Sequence, residues 1–111
     1  MKLALIGGGM MAEAVIAGVL RENVLLASDV FVSEHKAARA EELRRKYGVQ
    51  AFCSAAAFLE DMDVVFLAVK PNAAEKAMEE LRGHLRPDAV LVSIVAGLTL
   101  SRIEKMFPQQ P

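Results

Sequence analysis

The residues best suited to chemistry are the glycines that end the first apolar run. Leu3–Ile6 leads directly into Gly7-Gly8-Gly9, and a helical pattern follows. Gly7, Gly9 and Ala12 match the pattern G-x-G-x-x-G/A in a strand–turn–helix context. In that context the first glycine permits a tight turn and the second lets a pyrophosphate approach the backbone. The final small residue lets the helix pack closely on the sheet.

Two interpretations of this turn are open on the motif alone. In the first, the helix N-terminus directs free N–H groups and partial positive charge at the phosphates of a dinucleotide. In the second, the turn joins a strand to a helix and binds nothing. A short glycine pattern is a weak signal, so the elements around it must decide between them.

Strands and helices alternate along the whole chain. The predicted strands are Lys2–Ile6, Asp29–Ser33, Val49–Phe52, Asp63–Val69 and Ala89–Val95. The predicted helices are Met10–Arg21, Lys36–Tyr47, a short one from Ser54 to Leu59, Ala73–Arg82, and a last one ending near Met106. Side-chain caps are expected from Ser33, Ser54, Asn72, and either Thr99 or Ser101.

This alternation predicts an α/β fold with a doubly wound parallel sheet of the Rossmann type, in strand order 3-2-1-4-5. In such sheets a ligand binds at the carboxyl ends of the strands where the order reverses. Four turns should meet there: Gly7–Met11, Ser33–Lys36, Ala68–Asn72 and Ala96–Gly97. Their coincidence favours nucleotide binding over an empty turn.

Composition narrows the class further. The chain has 111 residues, is 54% apolar and carries a formal net charge of −1. These values predict one dinucleotide-binding domain over residues 1–107, with residues 108–111 as a tail or truncated linker, and no nucleic-acid surface. The longest uncharged apolar run, Ala89–Leu100, is shorter than the about 20 residues that a membrane-spanning helix needs.

Other functional classes find little support. Cys53 is the single cysteine, so an intrachain disulfide is impossible, and we expect it to be a small packed side chain rather than a nucleophile. No Cys/His set has metal-ligand spacing. Met1-Lys2 and the following apolar run suggest a signal peptide, but the three glycines and Glu13 interrupt that pattern. We expect a cytoplasmic protein.

Three segments together suggest a family. The chain resembles the N-terminal domain of pyrroline-5-carboxylate reductase in I-G-G-G-M-M-A-E-A from Ile6, F-L-A-V-K-P from Phe66 and S-I-V-A-G from Ser93. The likeness extends from Lys2 to about Met106, and its last two segments are more specific than the glycine pattern. The resemblance implies NAD(P)H-dependent reduction of 1-pyrroline-5-carboxylate to proline.

The resemblance also implies roles by position. The pyrophosphate would lie on Gly7, Gly8, Gly9, Met10 and Met11. The adenosine ribose and its 2′-phosphate would meet Ser33, Glu34, His35 and Lys36, and the nicotinamide ribose and ring would meet Ala68, Val69, Lys70, Pro71, Ala96 and Gly97. Lys70 is the one candidate proton donor, with a solvated surface lysine as the alternative. The catalytic residues stay unassigned.

Three residues depart from the family pattern. Met10 and Ala55 stand where the family usually or often has Asn, which removes polar groups from the cofactor side. Glu34 follows Ser33 directly, where an acid can bind the 2′-OH of NAD and would repel the 2′-phosphate of NADP. His35, Lys36 and Arg39 can offset that charge, and an exposed first-turn acid is the alternative for Glu34. The resemblance favours NADP, with NAD as the other possibility.

Length is the largest departure, because the family continues into an all-helical domain that forms the dimer and holds most of the substrate site. We therefore expect this chain to be a truncated piece that binds nucleotide without turnover and is monomeric. The full-length form would be a homo-oligomer with pyrroline-5-carboxylate as its small-molecule partner. The alternatives are another NADP-linked reductase, such as an F420-dependent NADP reductase or a β-hydroxyacid dehydrogenase, and a stand-alone nucleotide-binding module without activity.

Overall fold

A computed structural model describes residues 1–93 and Phe107. Five parallel strands form one sheet in the order β3-β2-β1-β4-β5. The strands are β1 (Leu3–Ile6), β2 (Val30–Ser33), β3 (Gln50–Phe52), β4 (Val64–Leu67) and β5 (Val90–Ser93). The predicted fold class and strand order are confirmed.

Three α-helices connect the strands: α1 (Met10–Arg21), α2 (Ala37–Tyr47) and α3 (Ala74–Leu81). Short 3-10 turns occupy Ala27–Asp29, Ala55–Ala57, Leu59–Asp61 and Pro71–Ala73. The short helix predicted from Ser54 to Leu59 is instead a pair of 3-10 turns. Ser54 caps the first of this pair by accepting from the Ala56 N–H at 3.4 Å. No helix in the described part of the chain is long and apolar enough to span a membrane.

Two predicted caps are wrong. The Ser33 carbonyl accepts from the Gly7 N–H at 2.8 Å, so Ser33 still belongs to the sheet, and α2 begins only after Lys36, without a side-chain cap. At Asn72 the chain first closes a 3-10 turn, with the Ala73 N–H donating to the Lys70 carbonyl at 2.9 Å. This turn moves the start of α3 to Ala74.

The sheet has an apolar core on each face because side chains alternate along a strand. In β1, Leu5 belongs to the cluster under α1 and α2, whereas Ala4 and Ile6 belong to the cluster under α3. The first cluster includes Ile16, Val32 and Leu43, and the second includes Leu59, Met78 and Phe107. β1 is therefore the central strand, buried on both faces, and the glycine turn follows it.

Asp63 connects the amino ends of β1 and β4 with Arg86. Asp63 accepts from the Lys2 N–H at 2.7 Å and from Arg86 Nη2 at 2.6 Å. These two contacts hold the pKa of the Asp63 carboxyl below its ordinary value, first through the Lys2 hydrogen bond and then through Arg86. The glycine turn lies at the opposite, carboxyl edge of the sheet.

Part of the predicted carboxyl-terminal region lies outside the described residues. This part comprises residues 94 and 95 of the predicted fifth strand, the Ala96–Gly97 turn, the last helix with its cap, and the 108–111 tail.

Candidate functional site

The turn after β1 lies between the carboxyl ends of the two neighbouring strands, β2 and β4. The Gly7 N–H donates to the Ser33 carbonyl at the end of β2. Gly7 has φ +105°, and a Cβ there would lie 2.8 Å from the carbonyl oxygen of Ala68 after β4. A side chain at this position would be both strained and in steric conflict with backbone, so only glycine lets the chain turn here.

Gly9 occupies a different environment two residues later. It is the N-cap of α1, has no side-chain cap of its own, and a Cβ there would meet no atom within 4 Å. The Gly9 carbonyl accepts the first helical hydrogen bond, from the Glu13 N–H at 3.0 Å. The N-terminus of α1 therefore faces open space, with the dipole orientation that favours an anion.

The first two residues of α1, Met10 and Met11, are also exposed. The exposed fractions of Met10 and Met11 are 88% and 61%. Neither residue belongs to the core, and both follow Gly9 directly at the start of α1. Met10 thus places a long thioether side chain at the N-terminus of α1.

Glu34 is buried rather than an exposed first-turn acid, so that interpretation is wrong. Its Oε2 accepts from the Gly8 N–H at 3.0 Å and its Oε1 accepts from the Lys36 N–H at 3.2 Å. Two backbone donors compensate the loss of water, which is the condition for burying a carboxylate. A Cβ at Gly8 would lie 2.8 Å from Glu34 Oε2 and 3.0 Å from Glu34 Cβ, so a side chain there would displace Glu34.

Arg39 crosses from α2 to the same turn. Its Nε donates to the Gly8 carbonyl at 2.6 Å and its Nη2 donates to the Gly9 carbonyl at 3.4 Å. The guanidinium also pairs with Glu13 at 2.8 Å and with Glu42. Arg39 thus binds the protein's own carbonyls and carboxylates, rather than standing free for a ligand phosphate.

Glu13 links α1 to α2 beneath the turn. Its carboxylate accepts from Lys46 Nζ at 2.8 Å, the Tyr47 hydroxyl at 2.6 Å and Arg39 Nη2. The hydrogen bonds from Lys46, Tyr47 and Arg39 lower the pKa of Glu13 from 4.5 to about 2, and in return Glu13 raises the pKa of each of these three partners. Sequence analysis missed this cluster because its partners are more than 25 positions away along the chain. The one local signal was an acid in the first turn of α1.

The nicotinamide side of the predicted site is built from backbone. The Ala68 N–H continues the sheet by donating to the Ile6 carbonyl at 2.9 Å, and Pro71 starts the 3-10 turn that redirects the chain. Lys70 is exposed, and within the described residues its ammonium forms no ion pair. Ala96 and Gly97, predicted to complete this side, lie outside the described residues.

Three of the four predicted turns are therefore adjacent at one edge of the sheet. β1 pairs with β2 on one side and with β4 on the other, so Gly7–Met11 lies between Ser33–Lys36 and Ala68–Pro71.

Ala55 is not on this surface but is buried in the core under α3. Cys53 is exposed, which corrects the prediction of a packed side chain, because it follows the last residue of edge strand β3. The described residues contain no group of three or more potential metal ligands among His, Cys, Asp and Glu.

This strand order, glycine turn and open helix N-terminus define a dinucleotide-binding domain of the Rossmann type. A family model described as NADP oxidoreductase, coenzyme F420-dependent, matches residues 2–97. The chain belongs to that family of oxidoreductases.

Among characterised relatives, the chain is similar to pyrroline-5-carboxylate reductases. It is 38% identical to pyrroline-5-carboxylate reductase 1 of Bacillus spizizenii over 112 aligned residues, which cover 99% of this chain and 38% of the relative. It is 31% identical to the Arabidopsis thaliana pyrroline-5-carboxylate reductase, covering 97% of this chain and 39% of that protein. The predicted resemblance is confirmed, and the chain spans less than half the length of these relatives.

Solved structures agree on the fold. A pyrroline-5-carboxylate reductase from Coxiella burnetii superposes with a TM-score of 0.88 at 27% identity, over 96% of this chain and 39% of that one. The Plasmodium falciparum pyrroline carboxylate reductase, solved with NADP bound, gives 0.81 at 22% identity over 96% and 38%. The prephenate dehydrogenase from A. aeolicus also gives 0.81, at 18% identity and the same coverage. Because dehydrogenases of other substrates share this fold, fold alone does not choose the reaction.

Proposed function

We propose that this chain binds NADP(H) at the carboxyl edge of its sheet. The open space at Gly9 carries the proposal, because it leaves room for a pyrophosphate against the N-terminus of a 12-residue helix. Gly9, Met10 and Met11 would hold that pyrophosphate through backbone N–H groups. Ala68–Pro71 would lie along the nicotinamide ribose.

The adenosine end is the least typical part of this site. A 2′-phosphate beside β2 would lie near the buried Glu34 carboxylate, which opposes it. His35 and Lys36 are both exposed at the same corner, and each can pair with phosphate. The family and the NADP-bound relative support NADP(H) as the cofactor, and NAD(H) is the second choice that Glu34 favours.

We further propose that the domain serves the reduction of 1-pyrroline-5-carboxylate to proline. When bound, the cofactor would supply a hydride from C4 of the nicotinamide to the imine carbon, and the imine nitrogen would gain a proton. This chain's own residues would bind and orient the cofactor, which is the usual protein contribution in such reactions. The names and the 30–38% identity of the relatives support this substrate.

Calorimetric titration of the 111-residue chain with NADPH and with NADH tests the cofactor. We expect both to bind, and a His35→Ala/Lys36→Ala double variant to weaken NADPH by about tenfold while leaving NADH nearly unchanged. Lys76→Ala, an exposed lysine on α3, is the matched control. Wild-type chain that binds neither dinucleotide at millimolar concentration contradicts the proposal.

A chimera tests the substrate. The matching N-terminal segment of Bacillus subtilis pyrroline-5-carboxylate reductase 1, which is 37% identical to this chain, would be replaced by residues 1–111. NADPH oxidation that depends on added pyrroline-5-carboxylate is the expected result, and the 111-residue chain alone should bind NADPH without turnover. A folded chimera that binds NADPH but leaves pyrroline-5-carboxylate unreduced would contradict the substrate assignment.

The family description favours one second candidate, an NADP-linked reductase that exchanges hydride with coenzyme F420. Oxidation of NADPH by that coenzyme in the same chimera series would identify it. We also propose a cytoplasmic location and a monomeric 111-residue chain, for which sedimentation showing a tight dimer would be the contrary result.

A further inference from the structure

The central glycine of the turn has both of its backbone polar groups bound by charged side chains. Its N–H donates to Glu34 Oε2 at 3.0 Å, and its carbonyl accepts from Arg39 Nε at 2.6 Å. Both side chains come from the segment that follows β2, so a single stretch of chain holds Gly8 at both its backbone polar groups. We refer to Glu34 and Arg39 together as the Gly8 clamp.

The turn has a physical need for such a clamp. Three consecutive glycines separate Ile6 from Met10, and glycine loses more conformational freedom on folding than any other residue. A turn of this composition would sample many paths if only its ends were fixed. Hydrogen bonds to charged groups are stronger than those between neutral groups, and Gly8 forms one with the anionic Glu34 and one with the cationic Arg39.

The surroundings favour a persistent clamp over an incidental surface contact. The side chain of Glu34 is 9% exposed, and its second oxygen is bound by the Lys36 N–H. The side chain of Arg39 is 22% exposed, and Glu13 holds its far side at 2.8 Å. Each member therefore has a second partner that restricts its rotamer before it contacts Gly8.

We propose that Glu34 and Arg39 are positioning residues that fix the glycine turn so that Gly9 and the start of α1 stay open to a pyrophosphate. In this arrangement the Gly8 N–H is used internally, and the N–H groups that follow it are the ones presented to the ligand. Glu34 then acts chiefly on the turn, because both of its oxygens are occupied by backbone donors. The ligand-binding consequence rests on the proposed function, whereas the clamp itself does not.

Two measurements on the 111-residue chain test the clamp: amide hydrogen exchange at Gly8 by NMR, and NADH affinity by calorimetry. NADH is the ligand because it lacks the 2′-phosphate that the Glu34 carboxylate opposes. The variants are Arg39→Met, which removes all donors, Glu34→Ala, and Glu34→Gln, which keeps an acceptor oxygen near the Gly8 N–H. Glu41→Gln is the control on α2, since Glu41 pairs with Arg44 and not with the turn. If Glu34→Ala does not fold, Arg39→Met and Glu34→Gln still decide.

Arg39→Met and Glu34→Ala should each speed Gly8 exchange and weaken NADH by about tenfold, the scale of one lost hydrogen bond to a charged group. Glu34→Gln should retain most of the Gly8 protection and of the affinity. Glu41→Gln should behave as wild type.

Either of two results overturns the proposal: exchange that rises while NADH affinity stays within about twofold, or NADH affinity that falls while Gly8 exchange is unchanged. The second result would make these side chains direct ligand contacts. Failure of wild-type chain to bind either dinucleotide would refute the proposed function, and the exchange data would still report on the clamp.

Discussion

The two halves of the carboxyl edge are built by different means. We call them the adenosine half and the nicotinamide half, after the part of the dinucleotide that each is proposed to bind. On the adenosine half, Glu13, Glu34 and Arg39 join α1, α2 and the glycine turn through charged hydrogen bonds. On the nicotinamide half, the ends of β4 and Pro71 shape the chain through backbone, and Lys70 stands exposed. The half proposed to face the diphosphate is therefore preorganised by side chains, whereas the half proposed to face the reactive ring depends on strand ends and a fixed turn.

The largest expected effect comes from Gly7, where the two halves meet. Gly7→Ala places a Cβ 2.8 Å from the Ala68 carbonyl at φ +105°, so strain and a backbone clash act together. We expect a loss of about 3 kcal/mol in the free energy of unfolding, which corresponds to a melting temperature lower by about 10–20 °C. Thermal unfolding followed by circular dichroism measures it.

Gly83→Ala is the matched control for that variant. Gly83 also has a positive φ of 82°, but a Cβ there meets nothing within 4 Å. Gly83→Ala should lower the free energy of unfolding by about 1 kcal/mol, from the strained backbone alone. Equal losses at Gly7 and Gly83 would mean that the contact with Ala68 contributes nothing.

Gly9 tests whether the open space on the adenosine half is a ligand site. Gly9→Ala should leave the melting temperature within about 2 °C, because its Cβ enters open space, yet weaken NADPH at least about tenfold by keeping the pyrophosphate off the backbone. Gly18→Ala, which lies in α1 with open surroundings, should leave NADPH affinity as in wild type. Unchanged NADPH affinity in Gly9→Ala would remove Gly9 from the site.

Glu13 provides a pH test of the charged network. Its pKa falls from 4.5 to about 2 in the folded protein, so the unfolded chain binds more protons between these values. Stability from Glu13 is therefore fully present above about pH 4.5 and is lost as the pH falls through about 2. Glu13→Gln should be less stable than wild type at pH 7 and show a flatter decline over that acid range, measured by urea unfolding at several pH values.

Glu79→Gln, an exposed acid paired with Arg82 on α3, is the control and should keep the wild-type slope. Parallel pH profiles for Glu13→Gln and wild type would show that the contacts of Glu13 with Lys46, Tyr47 and Arg39 do not persist in solution.

The sheet and the meeting of the turns at one edge could be predicted from sequence because both follow from local patterns. Alternating strands and helices with right-handed crossovers restrict the topology, and carboxyl ends of parallel strands meet at one edge. The buried state of Glu34 could not be predicted, because it depends on the Gly8 N–H, 26 positions earlier, reaching its carboxylate. The contacts of Glu13 with Lys46 and Tyr47 likewise depend on how α1 packs beside α2, which no local spacing encodes.

The smallest effect is expected on the nicotinamide half, at Lys70. Its side chain is exposed and forms no ion pair within the described residues, so Lys70→Ala should change the melting temperature by no more than about 2 °C. NADPH affinity should fall by less than about threefold, since a solvated ammonium near a ribose contributes little. Calorimetry of Lys70→Ala beside Lys76→Ala measures the difference. If Lys70→Ala weakened NADPH as strongly as Gly9→Ala, the nicotinamide half would also hold its ligand by a charged side chain, and the contrast between the two halves would be wrong.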